Sequence, residues 1–279
     1  MLPFVKNYLI KTSVLSPLPA LIFVVVATLV TGRPVLFEPW GMLTAVALVV
    51  LGTLLIGKRM ADLAFDEASR LVNLFSNGCD PQAFVDKGSS ITSRMRPPFD
   101  ESASWYASYY CLALLDLGRI HEAVKLADGL RISVDKARRP ATRAALCLHM
   151  EPPVRQLLGP EAALKALDQA EADLNAANVP DGNDHRQYLS GERDILLAQR
   201  DGDDERLADL LSRVREASAG ELRARVEAAW EEAGAAQRLD HVERELLCLR
   251  FVVDRGNLLS CVREARERLH ELERTAASV

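Results

Sequence analysis

Hydrophobic residues are distributed in two different ways along this chain, and the change comes near residue 57. Residues 14–31 and 39–57 form two apolar runs that contain no charged side chain. Each run is close to the roughly 20 residues that cross a hydrocarbon core as a helix. From Lys58 onward, apolar residues recur at helical spacing without strand-like alternation. The pattern predicts an all-α chain with a membrane anchor at 1–57 and a helical domain at 58–279.

The two apolar runs predict a transmembrane helical hairpin. The segment between them is long enough only for a turn outside the bilayer. A secretory signal peptide is the alternative for the first run, because Lys6 and Lys11 precede it as a basic leader would. An A-x-A-like cleavage site is missing, however, and a second run follows at once. The hairpin is therefore the preferred interpretation.

Flanking charges predict the orientation of this hairpin. Lys6 and Lys11 precede the first run, Lys58 and Arg59 follow the second, and Arg33 is the only basic residue between the runs. Short cytoplasmic flanks carry an excess of Lys and Arg. We therefore expect a multi-pass protein of a bacterial-type inner membrane, with both termini in the cytoplasm.

The pattern after residue 58 predicts about ten helices, and the breaks between them carry their own signals. Proline follows Asp80 and Gly159, at the first position of a predicted helix. Capping-box spacing occurs at Ser218 with Glu221 and at Asp240 with Glu243. The predicted apolar stripes are Ala163, Leu167, Ala170, Leu174 and Ala177; Leu222, Val226, Ala229 and Ala233; Val242, Leu246, Leu249 and Val253; and Leu258, Val262, Ala265, Leu269 and Leu272.

Residues 112–130 predict two antiparallel helices joined by a short turn at Gly118. The first helix has a broad apolar surface, and small residues flank the turn. This hairpin resembles a tetratricopeptide repeat. The residues that carry the resemblance or the predicted packing are Trp105, Tyr106, Tyr110, Cys111, Gly118, Ile120 and Ala123.

The resemblance implies a protein-binding scaffold, because such repeats stack into a curved array whose concave face takes up a peptide or a partner's helix. Both a degenerate repeat solenoid and an irregular helical bundle fit the spacing of the turns. The expected function is a membrane-anchored adaptor that recruits a protein partner to the cytoplasmic face of the lipid bilayer.

The alternative function is that of an accessory or regulatory subunit of a transport or secretion complex, acting through the transmembrane hairpin. Small residues in the second run offer surfaces for helix packing and for an oligomer formed through the hairpin. They are Gly41, Ala45, Ala47, Gly52 and Gly57.

Composition narrows the classes of partner. The formal net charge is −5, with 34 basic and 39 acidic residues. The two signs are interleaved, which argues against nucleic acid as a partner, since that needs a concentrated basic face. The five cysteines show no CxxC spacing and are expected to be buried, reduced thiols.

Motifs for catalysis, cofactors or metals are missing from the sequence. The histidines lack metal-ligand spacing, and His121-Glu122 is not followed by a second histidine at the required position. Asp201-Gly202-Asp203 fails the EF-hand spacing and predicts a capped helix start instead. We therefore expect no enzyme activity, no cofactor and no metal site.

Two basic clusters are candidate contacts for anionic headgroups or for an acidic partner. Solvated loop charge is the alternative interpretation. The clusters consist of Arg94 and Arg96, and of Lys136, Arg138, Arg139 and Arg143. Near an anionic membrane surface each basic residue contributes about 1 kcal/mol.

Overall fold

The computed structural model describes residues 17–31, 39–181, 183–217 and 220–277. All regular secondary structure within these ranges is α-helical, which confirms the all-α class. The chain divides into two compact units, Met1–Arg70 and Leu71–Val279. The predicted boundary at residues 57 and 58 falls inside a helix that continues to Ser76.

Twelve helices occur in the described residues, and ten of them follow Ser76. In chain order they are α1 (Leu18–Thr31), α2 (Pro39–Ser76), α3 (Pro81–Thr92), α4 (Glu101–Asp116), α5 (Ile120–Lys136), α6 (Pro140–Leu158), α7 (Pro160–Ala176), α8 (Asp184–Asp201), α9 (Asp204–Glu216), α10 (Leu222–Arg238), α11 (Val242–Arg255) and α12 (Cys261–Ala277).

In the first unit, one described segment, Pro39–Ile56, is long and apolar enough to cross a membrane by length and composition. The apolar helical stretch Ala20–Val30 is shorter, so a second span is not found in the described part of the chain. Lys6, Lys11 and Arg33, on which the predicted orientation depends, lie outside the described residues. The two-span hairpin therefore stays a prediction.

In the second unit, from α3 onward, each helix packs against the next one along the chain. Contacts also join helices two positions apart, namely α4 with α6, α6 with α8, and α10 with α12. Contacts of this kind arise when helical hairpins stack side by side, because each first helix then touches the first helix of the following hairpin. Four alternate helices, α4, α6, α8 and α10, consequently provide the walls of one cavity.

Contacts distant in sequence connect the beginning of the second unit with its end. The amide of Leu222 donates to Asn77 Oδ1 at 3.1 Å, and Asn257 Nδ2 donates to the carbonyl oxygen of Gly78 at 2.8 Å. The Ser260 hydroxyl donates to Asp116 Oδ1 at 2.8 Å. These bonds bring the last three helices back to α4 and to the residues that precede α3.

Several predicted helix boundaries are confirmed by their caps. Asp80 accepts a hydrogen bond from the amide of Ala83 at 2.8 Å, and Asp203 accepts one from the amide of Arg206 at 3.1 Å. Gly159 has a positive φ of 86° immediately before Pro160, the first residue of α7. These signals are local, and they were therefore readable from the sequence.

Of the two predicted capping boxes, the one at Asp240 and Glu243 is not observed. Helix α11 begins after His241, which makes no side-chain cap, and Asp240 has a φ of 56°. This left-handed residue lies before the cap and belongs to the turn. Glu221 is itself the residue that precedes α10, and its predicted partner Ser218 lies outside the described residues.

The first four residues of the stripe predicted on α7 are buried, and only Ala177, at the C-cap, is not. The stripe predicted on α11 is confirmed only at Leu249, which is buried. Val242 is exposed, and the buried face also contains Glu245, Cys248 and Val252. A buried glutamate paired with Arg268 replaces an apolar position there, and hydrophobicity alone could not reveal that pairing.

Candidate functional site

The turn at Gly118 joins two helices that pack closely. Gly118 has a φ of 69°, a left-handed conformation that costs glycine little. The thiol of Cys111 on α4 lies 3.3 Å from the carbonyl oxygen of Ala123 on α5, and Ala123 is fully buried. Small side chains at both positions allow the two backbones to approach.

Tyr106 and Tyr110 pack against the preceding helix α3. Phe84 of α3 contacts both rings edge-on, with ring centroids 5.6 Å from Tyr106 and 5.5 Å from Tyr110. The Tyr110 hydroxyl donates to the carbonyl oxygen of Val85 at 3.1 Å. These two tyrosines therefore belong to the interface between α3 and α4.

Two other residues assigned to hairpin packing lie elsewhere. Ile120 is 49% exposed, which corrects the expectation that it lines the packed hairpin. It is the first residue of α5, and the buried positions of this helix begin at Ala123. Trp105 lines the cavity together with Tyr109, whose ring centroid is 5.5 Å away.

The structure separates the basic clusters into different roles. Arg143 is bonded to the nearly buried carboxylate of Asp173 on α7, through Nε at 2.7 Å and through a second short contact. Arg96 donates to the carbonyl oxygens of Ser93 and Met95. Arg94, Lys136, Arg138 and Arg139 are exposed, so they are the members still placed to contact a partner or headgroups.

The cavity between alternate helices is the best-formed candidate site, with a volume of about 380 Å³. A volume of this size is in the range that holds small ligands or a few peptide side chains. Each helix contributes one face at helical spacing. The lining residues are Trp105, Ser108, Tyr109 and Leu112 from α4; Ala145, Leu148, His149, Pro152, Arg155 and Gln156 from α6; Asp184, His185, Tyr188 and Glu192 from α8; and Glu221, Arg223, Ala224 and Glu227 at and after the start of α10.

Aromatic rings and carboxylates alternate around this cavity. The Tyr109 hydroxyl donates to Glu221 Oε1 at 2.6 Å, and the Tyr188 hydroxyl donates to Glu151 Oε2 at 3.1 Å. Glu151 is fully buried behind the wall. Tyr188 therefore connects the cavity surface to a carboxylate below it.

Arg155 lies on the floor of the cavity among carboxylates. Its Nη1 donates to Glu192 Oε2 at 3.0 Å, and its Nε lies 3.9 Å from Glu151 Oε1. Burial acts to lower the pKa of Arg155, but the surrounding carboxylates, with Glu192 and Glu231 foremost, raise this pKa more strongly. The guanidinium is therefore charged.

A second arginine, Arg223, also lines the cavity. Arg223 is 5% exposed and forms an ion pair with Glu227, one turn along α10. Its Nε lies 4.0 Å from Asp116 Oδ2 on α4. Gln156 of α6 also donates to Glu227, at 3.1 Å. This network connects three of the helices that surround the cavity.

The electrostatics of the floor are dominated by acids. Burial raises the pKa of Glu151 to about 7, against the opposing effect of Arg155. Burial also raises the pKa of Glu227 and of Glu231 above their usual range. His149 is neutral at pH 7, because burial lowers its pKa to about 4. Burial therefore favours the neutral forms of these groups.

Helix α6 contains two prolines near the cavity. Pro152 and Pro153 lie inside this helix, and neither has an amide hydrogen. The carbonyl oxygens of Leu148 and His149 consequently lack their usual helical donors four residues on. Pro152 itself lines the cavity.

Sequence analysis missed the charged residues of this site, namely Glu151, Arg155, Glu192, Arg223 and Glu227. Two signals were present. One is a Pro-Pro pair inside a helical pattern that continues on both sides of it. The other is the pair Arg223 and Glu227, which flank the core residue Val226 at i, i+4 spacing. Such charges near an apolar stripe indicate either a buried ion pair or a polar cavity.

Other site classes receive no positive support. The described residues contain no group of three or more His, Cys, Asp or Glu residues that could hold a metal ion. All five cysteines are free, and burial raises the pKa of Cys111, Cys147 and Cys248 to about 12, which is typical of unreactive thiols.

Comparison with known protein-family models, curated proteins and solved structures gave no match to this chain. The site must therefore be interpreted from its own geometry.

Proposed function

We propose that this chain is a membrane-anchored protein-binding scaffold, in which the helical unit Leu71–Val279 recruits a partner protein through its cavity. The observation that carries this proposal is the cavity of about 380 Å³ between alternate helices α4, α6, α8 and α10. A stack of hairpins presents the first helix of each pair to a partner in this way.

Two features support a degenerate tetratricopeptide-like array over an irregular bundle. Contacts between next-but-one helices join α4 with α6, α6 with α8, and α10 with α12, and stacked hairpins make contacts of this kind. The α4–α5 hairpin has small residues in contact at Cys111 and Ala123, next to a left-handed glycine. The array type is part of the proposal, together with its use in protein binding.

Exposure along α2 supports the membrane anchor. Only 17% of the segment Pro39–Ile56 is buried, whereas the core helix of a soluble protein is mostly buried. Large apolar side chains such as Leu43, Val46 and Leu54 are more than half exposed. A lipid environment would cover them without cost. We place the anchor in an inner membrane and the helical unit in the cytoplasm.

The partner contact can be tested by site-specific photo-crosslinking in native membranes. A photoreactive phenylalanine analogue replaces Tyr188 in the cavity or, as a control, Val124 on α5. The two positions are matched in exposure, at 40% and 44%. We expect a protein adduct from position 188 only. Equal adducts from both positions, or none from position 188, would contradict the scaffold function.

Reporter fusions test the anchor and its orientation. A reporter that is active only outside the membrane should be silent after Val279 and active when it is inserted between Thr31 and Glu38. The reverse pattern would exclude a cytoplasmic helical unit. Activity at neither position would indicate that only one of the two apolar runs spans the membrane.

A second candidate function is that of a subunit of a membrane transport or secretion complex, acting through the anchor. The observation that favours it is the burial of small residues, Gly41, Ala45 and Gly52, on a helix whose large apolar residues are exposed. Small residues allow close helix packing in lipid. Crosslinks from position 43 to integral membrane subunits would favour this function over the scaffold.

A further inference from the structure

The lining of the cavity contains more negative than positive groups. Four carboxyl groups and two arginines line it, and each arginine already forms an ion pair with one of these carboxylates. The lining carboxyl groups are those of Asp184, Glu192, Glu221 and Glu227. A buried excess of carboxylates is costly unless a cation approaches or protons bind. The charge of the site therefore complements a cationic group.

Buried atoms without a hydrogen bond in the described residues are a second observation: Glu151 Oε1 and Asp116 Oδ2 are acceptors, and Arg223 Nε is a donor. Glu151 is fully buried, and its Oε1 makes no hydrogen bond within the described residues. Its Oε2 is bonded to Tyr188, and Arg155 is its nearest cation, so this carboxylate is directed at two lining side chains. Buried polar atoms in native proteins are nearly always hydrogen-bonded. Glu151 therefore has unused capacity for a donor.

The lining carboxylates lie on different helices, Glu192 on α8 and Glu227 on α10. A ligand with several donors in a rigid arrangement matches acceptors that come from different directions. Guanidinium has five such donors, whereas an ammonium has three on a point charge. This geometry favours arginine over lysine.

The part of the cavity around α4 suits the aliphatic stem of such a side chain. Trp105, Tyr109 and Leu112 lie at i, i+4 and i+7 on this helix, and Leu148 faces them from α6. Aromatic faces also attract a guanidinium through cation–π contacts. One end of the site is thus apolar and aromatic, and the other is acidic.

We propose that this cavity binds an arginine side chain that a peptide segment of the partner protein presents with apolar residues beside it. This inference rests on the proposed scaffold function and specifies the chemistry of its partner. An acidic or phosphorylated segment is disfavoured, because carboxyl groups outnumber arginines on the lining and each arginine already forms an ion pair with a carboxylate. The charge of the guanidinium and its hydrogen-bond donors both contribute to the affinity of the peptide.

The test uses the full-length chain in detergent micelles and a phage-displayed library of random dodecapeptides. We expect the selected peptides to share an arginine with apolar neighbours. The strongest binder is then synthesised with that arginine replaced by citrulline, which keeps the shape and removes the charge. Its affinity should fall about tenfold or more, the effect of one charge-assisted hydrogen bond in a partly buried site.

Variants locate the binding within the cavity. Glu227→Gln and Glu192→Gln should each weaken the arginine peptide several-fold and reduce the difference between arginine and citrulline. Glu267→Gln, an exposed carboxylate on α12, is the matched control and should change nothing. Thermal unfolding of each variant shows whether a loss of binding comes from a loss of folding, in which case Glu221→Gln replaces that variant.

Three results would overturn the proposal. They are selection of peptides without basic residues, equal binding of the citrulline peptide, and arginine binding that is insensitive to both cavity variants. If peptides still bind in the cavity without a basic residue, the scaffold function stands and only its ligand chemistry is wrong. Failure of the Tyr188 crosslink would instead contradict the scaffold function itself.

Discussion

Two fully buried glutamates, Glu232 and Glu151, lie in regions that differ in how completely their charges are satisfied. At the junction of α9, α10 and α11, Glu232 accepts from Arg215 at 2.8 Å through one oxygen and from Arg244 at 2.7 Å through the other. At the cavity floor, Glu151 accepts only from Tyr188, and its second oxygen makes no hydrogen bond in the described structure.

This difference indicates that the charge of Glu232 has a structural role, whereas that of Glu151 has another role. The network of Glu232 connects three consecutive helices and leaves no acceptor unused, so it holds the hairpins together. Burial raises the pKa of Glu151 to about 7, and Glu151 does not hold helices together as Glu232 does. An incomplete buried network of this kind is typical of functional sites. The unpaired carboxylate therefore supports the cavity as the candidate functional site.

The largest expected effect is a difference in the free energy of unfolding between substitutions of the two glutamates. Glu232→Gln should reduce the free energy of unfolding by about 3 kcal/mol, because two arginines in a partly buried setting lose their counter-charge. Glu151→Gln should cost less than about 1 kcal/mol at pH 7, since a carboxyl with a pKa near 7 is already half neutral. Urea unfolding of the full-length chain in micelles measures both. Equal losses of unfolding free energy in the two variants would show that the two glutamates do not differ in structural role.

An intermediate effect concerns pH. The pKa of Glu151 is raised to about 7 from a usual value of 4.5, so the folded chain binds the proton more tightly than the unfolded chain does. This contribution to stability is complete below pH 4.5 and is lost as pH rises through 7. Unfolding at pH 5 and pH 8 should show that Glu151→Gln removes a difference on the order of 2 kcal/mol. Glu267→Gln should leave that difference unchanged.

The smallest effect sharpens the role of the one hydrogen bond that Glu151 accepts. Tyr188→Phe removes it and should cost about 1 kcal/mol. Because this bond lowers the pKa of Glu151, its loss should also shift the pH dependence to higher pH. Tyr109→Phe, which removes the bond to Glu221, is the matched control for the shift. A shift in both variants would show that Glu151 is not the group responsible.

Much of the fold could be predicted from the sequence, but little of the site could. The α-helical class and the apolar stripe of α7 followed from periodicity. The sequence also predicts the broad apolar surface of α4, but it predicts hairpin packing for that surface as a whole. In the structure, Tyr106 packs on α3 while its neighbour Trp105 lines the cavity. Both are aromatic, so residue type alone could not distinguish their faces.

The sequence by itself determined where helices begin and end, because those signals act within a few residues. Asp80 caps the helix that starts one residue later, and Gly118 permits the turn in which it lies. The tertiary structure alone decided which faces meet around the cavity. Arg223 reaches Asp116 across more than 100 residues of chain, and neither residue carries a local sign of the other. Helix ends depend on neighbouring backbone groups, whereas a cavity depends on how distant helices stack.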